Sequence, residues 1–314
     1  MNMQQTITTI ANTARKRRSA RLRNLPLHIM LLPAVGLLFV YSYLPLFGNV
    51  MAFQRFRPNL GFFRSEWIGL ANLRYIFTLP DTMQVLWNTF FIAIMKIVIG
   101  IIIPVLVALL LNEMHNIRYK RIVQTVIYFP HFLSWVILSG IFIDILSPSQ
   151  GIIGRTFTAV GLEPIFFLGN AQIFPFTMVV TESWKSFGFG TIVYLAALTS
   201  IDPNLYEASE IDGANRWKQT LHITLPGLRP IVLLMAVLSM GNVLNAGFDQ
   251  IFNLYSPQVY STGDILDTLV YRLGLVDAQY GVATAMGLFK SLVSFVMLTI
   301  SYIIAYKYTD YRVF

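Results

Sequence analysis

The chain has no cysteine among its 314 residues, which excludes disulfides and thiol chemistry and says little about compartment. Charge is scarce too: Asp, Glu, Lys and Arg make up 12% of the residues, against about 25% in soluble domains. Hydrophobic residues reach 55%, so the expected class is an integral membrane protein. A phosphate-cradling G-x-x-x-x-G-K-[ST] loop is missing, and "GLFKS" (287–291) has the wrong spacing inside an apolar run. The four histidines, His28, His115, His131 and His222, are scattered and make no metal-ligand spacing, and no G-x-S-x-G elbow is present. No enzymatic constellation stands out, and no metal site is expected. Net charge is +8, but the basic residues lack the aromatic interleaving of a nucleic-acid surface, so no nucleic-acid partner is expected.

What is present is a series of long apolar runs. A helix needs about 20 mostly apolar residues to cross the hydrocarbon core, and six stretches qualify. They lie between Arg23 and Arg55, between Asp81 and Glu113, between Arg121 and Asp144, over roughly 171–198, from Arg229 to Asp249, and from Asp277 to Lys307. The first is too long for a signal peptide and lacks a small-residue cleavage site, so it is expected to remain as a membrane helix. The expected fold class is an all-α membrane protein of six transmembrane helices in a lipid bilayer.

Positive charge is retained on the cytoplasmic side. With the N-terminus inside, the inner segments hold fourteen Lys and Arg, among them Arg15, Lys16, Arg17, Arg18, Arg21, Arg23, Arg118, Lys120, Arg121, Arg216, Lys218, Arg229, Lys307 and Arg312. The outer loops hold six: Arg55, Arg57, Arg64, Arg74, Arg155 and Arg272. Both termini and the segment 200–230 are therefore expected to be cytoplasmic, with 1–26 a basic tail and 27–314 the membrane domain.

The segment 200–230 is unusual for a connector. Asp202 is an N-cap with Pro203 at the first helical position, and Leu205, Ala208 and Ile211 recur on one face opposite Glu207 and Glu210. Asp212-Gly213 breaks that helix. A second helix carries Ala214, Trp217 and Leu221 on one side, and "LPGLRP" (225–230) is expected to end it. Two amphipathic helices with a fixed break and an exposed aromatic suit a protrusion that docks another protein.

Glu207-Ala208-Ser209, Gly213, Ile223 and Leu225-Pro226 stand at the spacing of the motif E-A-A-x-x-x-G-(nine)-I-x-L-P. The segment resembles the EAA loop of permease subunits in binding-protein-dependent type I ABC importers, the MetI-like superfamily. Asp212, Ala214 and Pro230 agree with the form found in sugar permeases; Ser209 replaces the second Ala, and Leu221 stands where Phe is frequent. "SEWIGLANLRYIF" (65–77), "NAGFDQIFNLYSPQVY" (245–260) and "GVATAMGLFKS" (281–291) resemble the branch that imports oligosaccharides and polysaccharide fragments. The resemblance implies a bacterial cytoplasmic-membrane importer with a second permease, two ATPase subunits and an extracytoplasmic solute-binding protein. It implies ATP and Mg on the ATPases, with no cofactor in this chain, and coupling through Glu207, Ala208, Ser209, Asp212, Gly213, Ala214, Trp217, Ile223, Leu225 and Pro226.

Polar groups at membrane depth face a bundle interior or a water-filled path. Asn242, Asn245 and Asp249 are expected on one helical face with Phe248 and Phe252 beside them, either lining a sugar path or hydrogen-bonding between helices. Glu182 and Lys185 are expected to pair beside Trp184, as a structural ion pair or a substrate contact. Lys96 and Lys290 read as lone cations, which would favour an acidic oligosaccharide if they reach the cavity and would otherwise snorkel. An ion-gradient-driven secondary transporter is the alternative; it predicts an internal repeat and broken helix pairs with ion ligands, and no repeat is found.

Overall fold

The computed structural model describes residues 26 and 29–309. The basic tail up to residue 25, both termini and Arg312 thus lie outside the described residues. The helices in chain order are α1 (Ile29–Phe53), α2 (Gly61–Arg64), α3 (Ala71–Ile76), α4 (Thr82–Asn112), α5 (Ile117–Tyr128), α6 (Trp135–Leu146) and α7 (Ile152–Ala159). They continue with α8 (Phe174–Leu198), α9 (Pro203–Ile211), α10 (Arg216–Met240), α11 (Phe248–Leu254), α12 (Tyr260–Gly263), α13 (Leu266–Tyr271) and α14 (Tyr280–Thr309). Two antiparallel strands of two residues each, β1 (Gln54–Arg55) and β2 (Glu66–Trp67), are the described strands.

Among the described residues, four helices are long and apolar enough to cross a membrane: α1, α4, α10 and α14. A fifth span is possible if α5 and α6 count as one, but they meet at 103°. The third apolar run is therefore not a straight helix. Pro130 sits in the 3-10 turn Phe129–Phe132, and Ser134 caps α6 by accepting from the Ile137 amide, so the chain restarts in a new direction. The fourth run forms the 25-residue helix α8, long enough to cross, yet Glu182, Lys185 and its Ser and Thr residues leave it too polar to pass on composition.

That polarity is accommodated because α8 is central. It packs along α4, burying Ile92, Ala93, Phe174, Met178 and Tyr194 between neighbouring elements, while Thr177, Thr181 and Thr191 return their hydroxyls to carbonyls of the preceding helical turn. The outer faces stay apolar: Leu110, Val136, Val180 and Phe295 are each well exposed. On a water-soluble protein such faces would be aggregation sites, whereas hydrocarbon solvates them. Asn72 fastens the end of α1 by donating to the carbonyls of Ala52 and Gln54 at 2.9 and 3.0 Å.

The fifth run departs from expectation at both ends. "LPGLRP" does not end the second loop helix; α10 continues through Pro226 and Pro230 to Met240. A π turn at Thr220–Thr224, closed by the Leu225 amide on the Thr220 carbonyl, precedes the prolines; Pro226 falls in the first turn of the α-helical stretch Leu225–Met240, and Pro230 lies inside it. Beyond Met240 the helix stops, and a turn leads to Gly247 at φ +92°, a left-handed conformation that starts α11. Asn242, Asn245 and Asp249 therefore do not share one helical face.

Candidate functional site

Local chemistry builds the loop. The Asp202 carboxylate accepts from the Asn204 amide at 3.0 Å and starts α9. At its end Gly213 lies at φ +75°; its amide donates to the Glu210 carbonyl at 3.0 Å, and the Ala214 amide donates to the Ser209 carbonyl at 2.9 Å. That pair of bonds is a Schellman motif, which needs a residue free to adopt the left-handed region. Asn215 then caps α10 by accepting from the Lys218 amide at 2.9 Å, an N-cap signal readable in the sequence but missed there.

The face of the loop turned to its own chain is polar. Gln219 and Thr224 are buried, Gln219 donates to the Ser209 hydroxyl at 3.0 Å, and Tyr206 and Thr224 share a hydroxyl bond of 3.0 Å. These bonds join α9 to α10 as one unit. Ser209, the departure from the Ala of the motif, is thus a bonding partner. Arg216 pairs with Glu113 at the end of α4 at 2.9 Å and lies 3.4 Å from His115. The apolar face of α9 is left outward: Leu205, Ala208 and Ile211 are exposed, Ile211 at 88%, and Trp217 across the break is 74% exposed. Glu207, Glu210, Asp212, Leu225 and Pro226 are exposed as well, while Ala214 and Ile223 are half-buried.

A second feature lies in the membrane region. A cavity of about 380 Å³ between α4, α8, α10 and the turn after Met240 is lined by Lys96, Glu182, Ser186, Asn242, Asn245 and Gly247. Its wall is held by a buried network. Lys96 donates to the Ala246 carbonyl at 2.6 Å and to the Gln250 side-chain oxygen. Gln250, fully buried, donates to the Met178 carbonyl and Thr181 hydroxyl at 2.8 and 2.7 Å. Lys96 is therefore engaged, and no sequence signal had pointed to Gln250.

Several expected partners are rearranged. Glu182 does not pair with Lys185; it accepts from Ser186 at 2.7 Å and faces the cavity. Lys185 sits 5.2 Å from the Trp135 ring centroid, and Trp184 meets Phe142 edge-on at 5.6 Å. Lys290 forms an ion pair with Asp267 and is not a lone cation. Phe248, Asp249, Phe252, Trp184, Lys185 and Lys290 do not line the cavity. Outside the spans, burial, then the hydrogen bond and charge of Tyr260, push the Tyr255 hydroxyl up to about 12. Burial opposes the Arg272 charge, but its bonds to Asp264 outweigh that and raise it above its ordinary value.

Comparison with known proteins adds a second line. Residues 100–310 match the family described as binding-protein-dependent transport system inner membrane component. Protein LplB of Bacillus subtilis (strain 168) is 37% identical over 92% of this chain and 91% of its own length. The polygalacturonan/rhamnogalacturonan transport system permease protein YteP of the same organism is 37% identical over 90% and 88%. The crystal structure of a bacterial ABC transporter involved in the import of the acidic polysaccharide alginate contains a similar chain. It superposes with a TM-score of 0.85 at 35% identity, covering 94% of this chain and 99% of that one. The same score holds, at 34% identity, for a bacterial alginate ABC transporter in complex with alginate pentasaccharide-bound periplasmic protein.

Proposed function

The chain belongs to the binding-protein-dependent transport system inner membrane components, a permease subunit and not an enzyme, and from that premise we propose that it forms half of the membrane pathway of an oligosaccharide importer. The observation that carries the coupling part is the loop: a hydrogen-bonded body of α9 and the start of α10 that leaves Ile211 and Trp217 exposed beside Gly213. An ATPase subunit is the partner for that apolar face. ATP and Mg belong to that partner; its closure pushes the loop and, through α10, the wall of the cavity.

In this reading the chain crosses the bacterial cytoplasmic membrane six times, with α5 and α6 together and α8 supplying the crossings beyond α1, α4, α10 and α14, and both termini are cytoplasmic. A second permease completes the pathway above two ATPases, and an extracytoplasmic solute-binding protein delivers the cargo; the alginate ABC transporter has been crystallised in complex with its alginate pentasaccharide-bound periplasmic protein. Asn242, Asn245 and Glu182 face the cavity and are suited to hydrogen-bond sugar hydroxyls. The acidic class of cargo rests on the names of YteP and the alginate transporter. The lysines lend it no independent support, since Lys290 is neutralised by Asp267, Lys185 faces Trp135 and Lys96 is spent on Ala246 and Gln250.

The test is uptake of oligogalacturonides and alginate oligosaccharides by the assembled transporter in proteoliposomes. Uptake that follows ATP and persists when ion gradients are collapsed is expected. Uptake that follows an ion gradient without ATP would support a secondary transporter instead.

A further inference from the structure

The segment 54–81 joins α1 to α4 at the end of α4 away from the coupling loop. Glu113, which pairs with Arg216 of that loop, follows the other end of the same 31-residue helix, about 46 Å away. In the orientation proposed above the segment therefore stands on the outer side. It is built as a fixed body. β1 and β2 pair Gln54 with Trp67 and Arg55 with Glu66. The buried Ser65 hydroxyl accepts from the Arg57 amide at 3.1 Å and donates to the Gly61 carbonyl at 2.7 Å, and Gln54 donates to the Phe62 carbonyl at 2.8 Å. Ile76 is sealed into a cluster with Val85, Leu266 and Met286, and a Cβ on Gly281 would stand 2.7 Å from the Gln54 carbonyl oxygen.

This base carries a basic and apolar surface. Retention of positive charge on the cytoplasmic side works against outer Lys and Arg, yet four of the six assigned to the outer side, Arg55, Arg57, Arg64 and Arg74, fall here. Arg55 pairs with Glu66 at 3.2 Å, whereas Arg57, Arg64 and Arg74 are exposed and make no ion pair among the described residues. Phe63, next to Arg64, is fully exposed. Arg74 and Tyr75 edge an open recess of about 540 Å³ with Ile68, Leu70, Ala71 and Thr78. Exposed rings beside unpaired guanidiniums suit a protein interface, and a base that is already ordered costs little to fix on binding.

We propose that this face of 54–81 receives the extracytoplasmic solute-binding protein, with Phe63 and Arg64 at one contact and Arg74 and Tyr75 at another, and that the docking face of that protein is acidic. The side of the membrane and the sign of the charge point to this occupant, and a transporter with a similar chain has been solved in complex with a periplasmic protein. The surface rests on the importer reading above and adds where its delivery partner sits.

The experiment measures binding of the purified solute-binding protein of this transport system to the complete transporter in nanodiscs, made with and without anionic phospholipid. Phe63→Ala and the Arg64→Gln, Arg74→Gln double variant are each expected to raise Kd roughly tenfold. Raising NaCl from about 50 to about 300 mM should weaken wild type roughly threefold or more and the double variant less, since its charges are gone. The Arg64→Lys, Arg74→Lys variant keeps the charge and should keep most of the affinity. An unchanged Kd in Phe63→Ala and the Gln variant, or a loss with the salt dependence of wild type, overturns the surface and leaves the importer standing. Variants that bind normally but change their dependence on anionic lipid assign the face to the bilayer and overturn the surface equally. Wild type that binds no solute-binding protein overturns that part of the importer reading, and the surface falls with it.

Discussion

Gly213 shows how much of the coupling loop depends on single residues. Its φ of +75° is occupied with open space where a Cβ would stand, so the demand there is conformational and not steric. A β-branched residue in that region costs roughly 1–2 kcal/mol, whereas Asn tolerates it. Gly213→Asn is therefore expected to keep the loop competent and Gly213→Val to lose the ATPase, read by the ATPase activity that accompanies the purified chain. Trp217, at 74% exposure, contributes little to this chain's own packing. Trp217→Ala should leave thermal stability in detergent unchanged and weaken ATPase association by about tenfold or more. Both residues were legible in the sequence because turn and cap chemistry is local: Asp202, Pro203 and Gly213 specify their backbone without reference to anything distant. Gln219 and Tyr206 were not legible, since their partners, Ser209 and Thr224, are met only once α9 folds back on α10.

Among the elements, the long apolar helices α1, α4 and α14 follow directly from hydropathy, and the errors cluster where tertiary contacts override a local rule. Pro226 and Pro230 read as a stop, yet α10 runs on through both, with Pro226 in the first turn after the π turn at Thr220–Thr224. The break after Met240 was hidden for the opposite reason: Val243, Leu244, Ala246 and Ile251 are all buried, so apolar spacing continues across a turn that is not helical. What holds that turn is Lys96, reaching from α4 to Ala246 and Gln250. Removing one partner from a buried charged hydrogen bond costs about 1–3 kcal/mol or more, and replacing both by apolar groups costs less. Gln250→Leu is expected to lower the melting temperature of the purified chain in detergent, and the Lys96→Met, Gln250→Leu double variant to recover most of the loss. Additive losses would mean that the two side chains are not coupled.

At the scale of the whole molecule, three surfaces have no partner within the described residues: the apolar outer faces of the helices, the tip of the coupling loop and the outer face of 54–81. Lipid and the second permease are proposed for the first, an ATPase for the second and the solute-binding protein for the third. The cavity at the far end of α10 is reached from the loop along one 25-residue helix, about 37 Å long, so movement at the loop can be transmitted to Asn242 and Asn245 without any energy-yielding chemistry in this chain. The most direct test is to purify the tagged chain from native membranes in mild detergent, wild type beside Gly213→Val, and to assay both eluates for ATP hydrolysis. The account predicts an ATPase with wild type and its loss from a variant that still inserts in the membrane. Wild type that brings down no ATPase, under conditions that keep membrane complexes together, would contradict it.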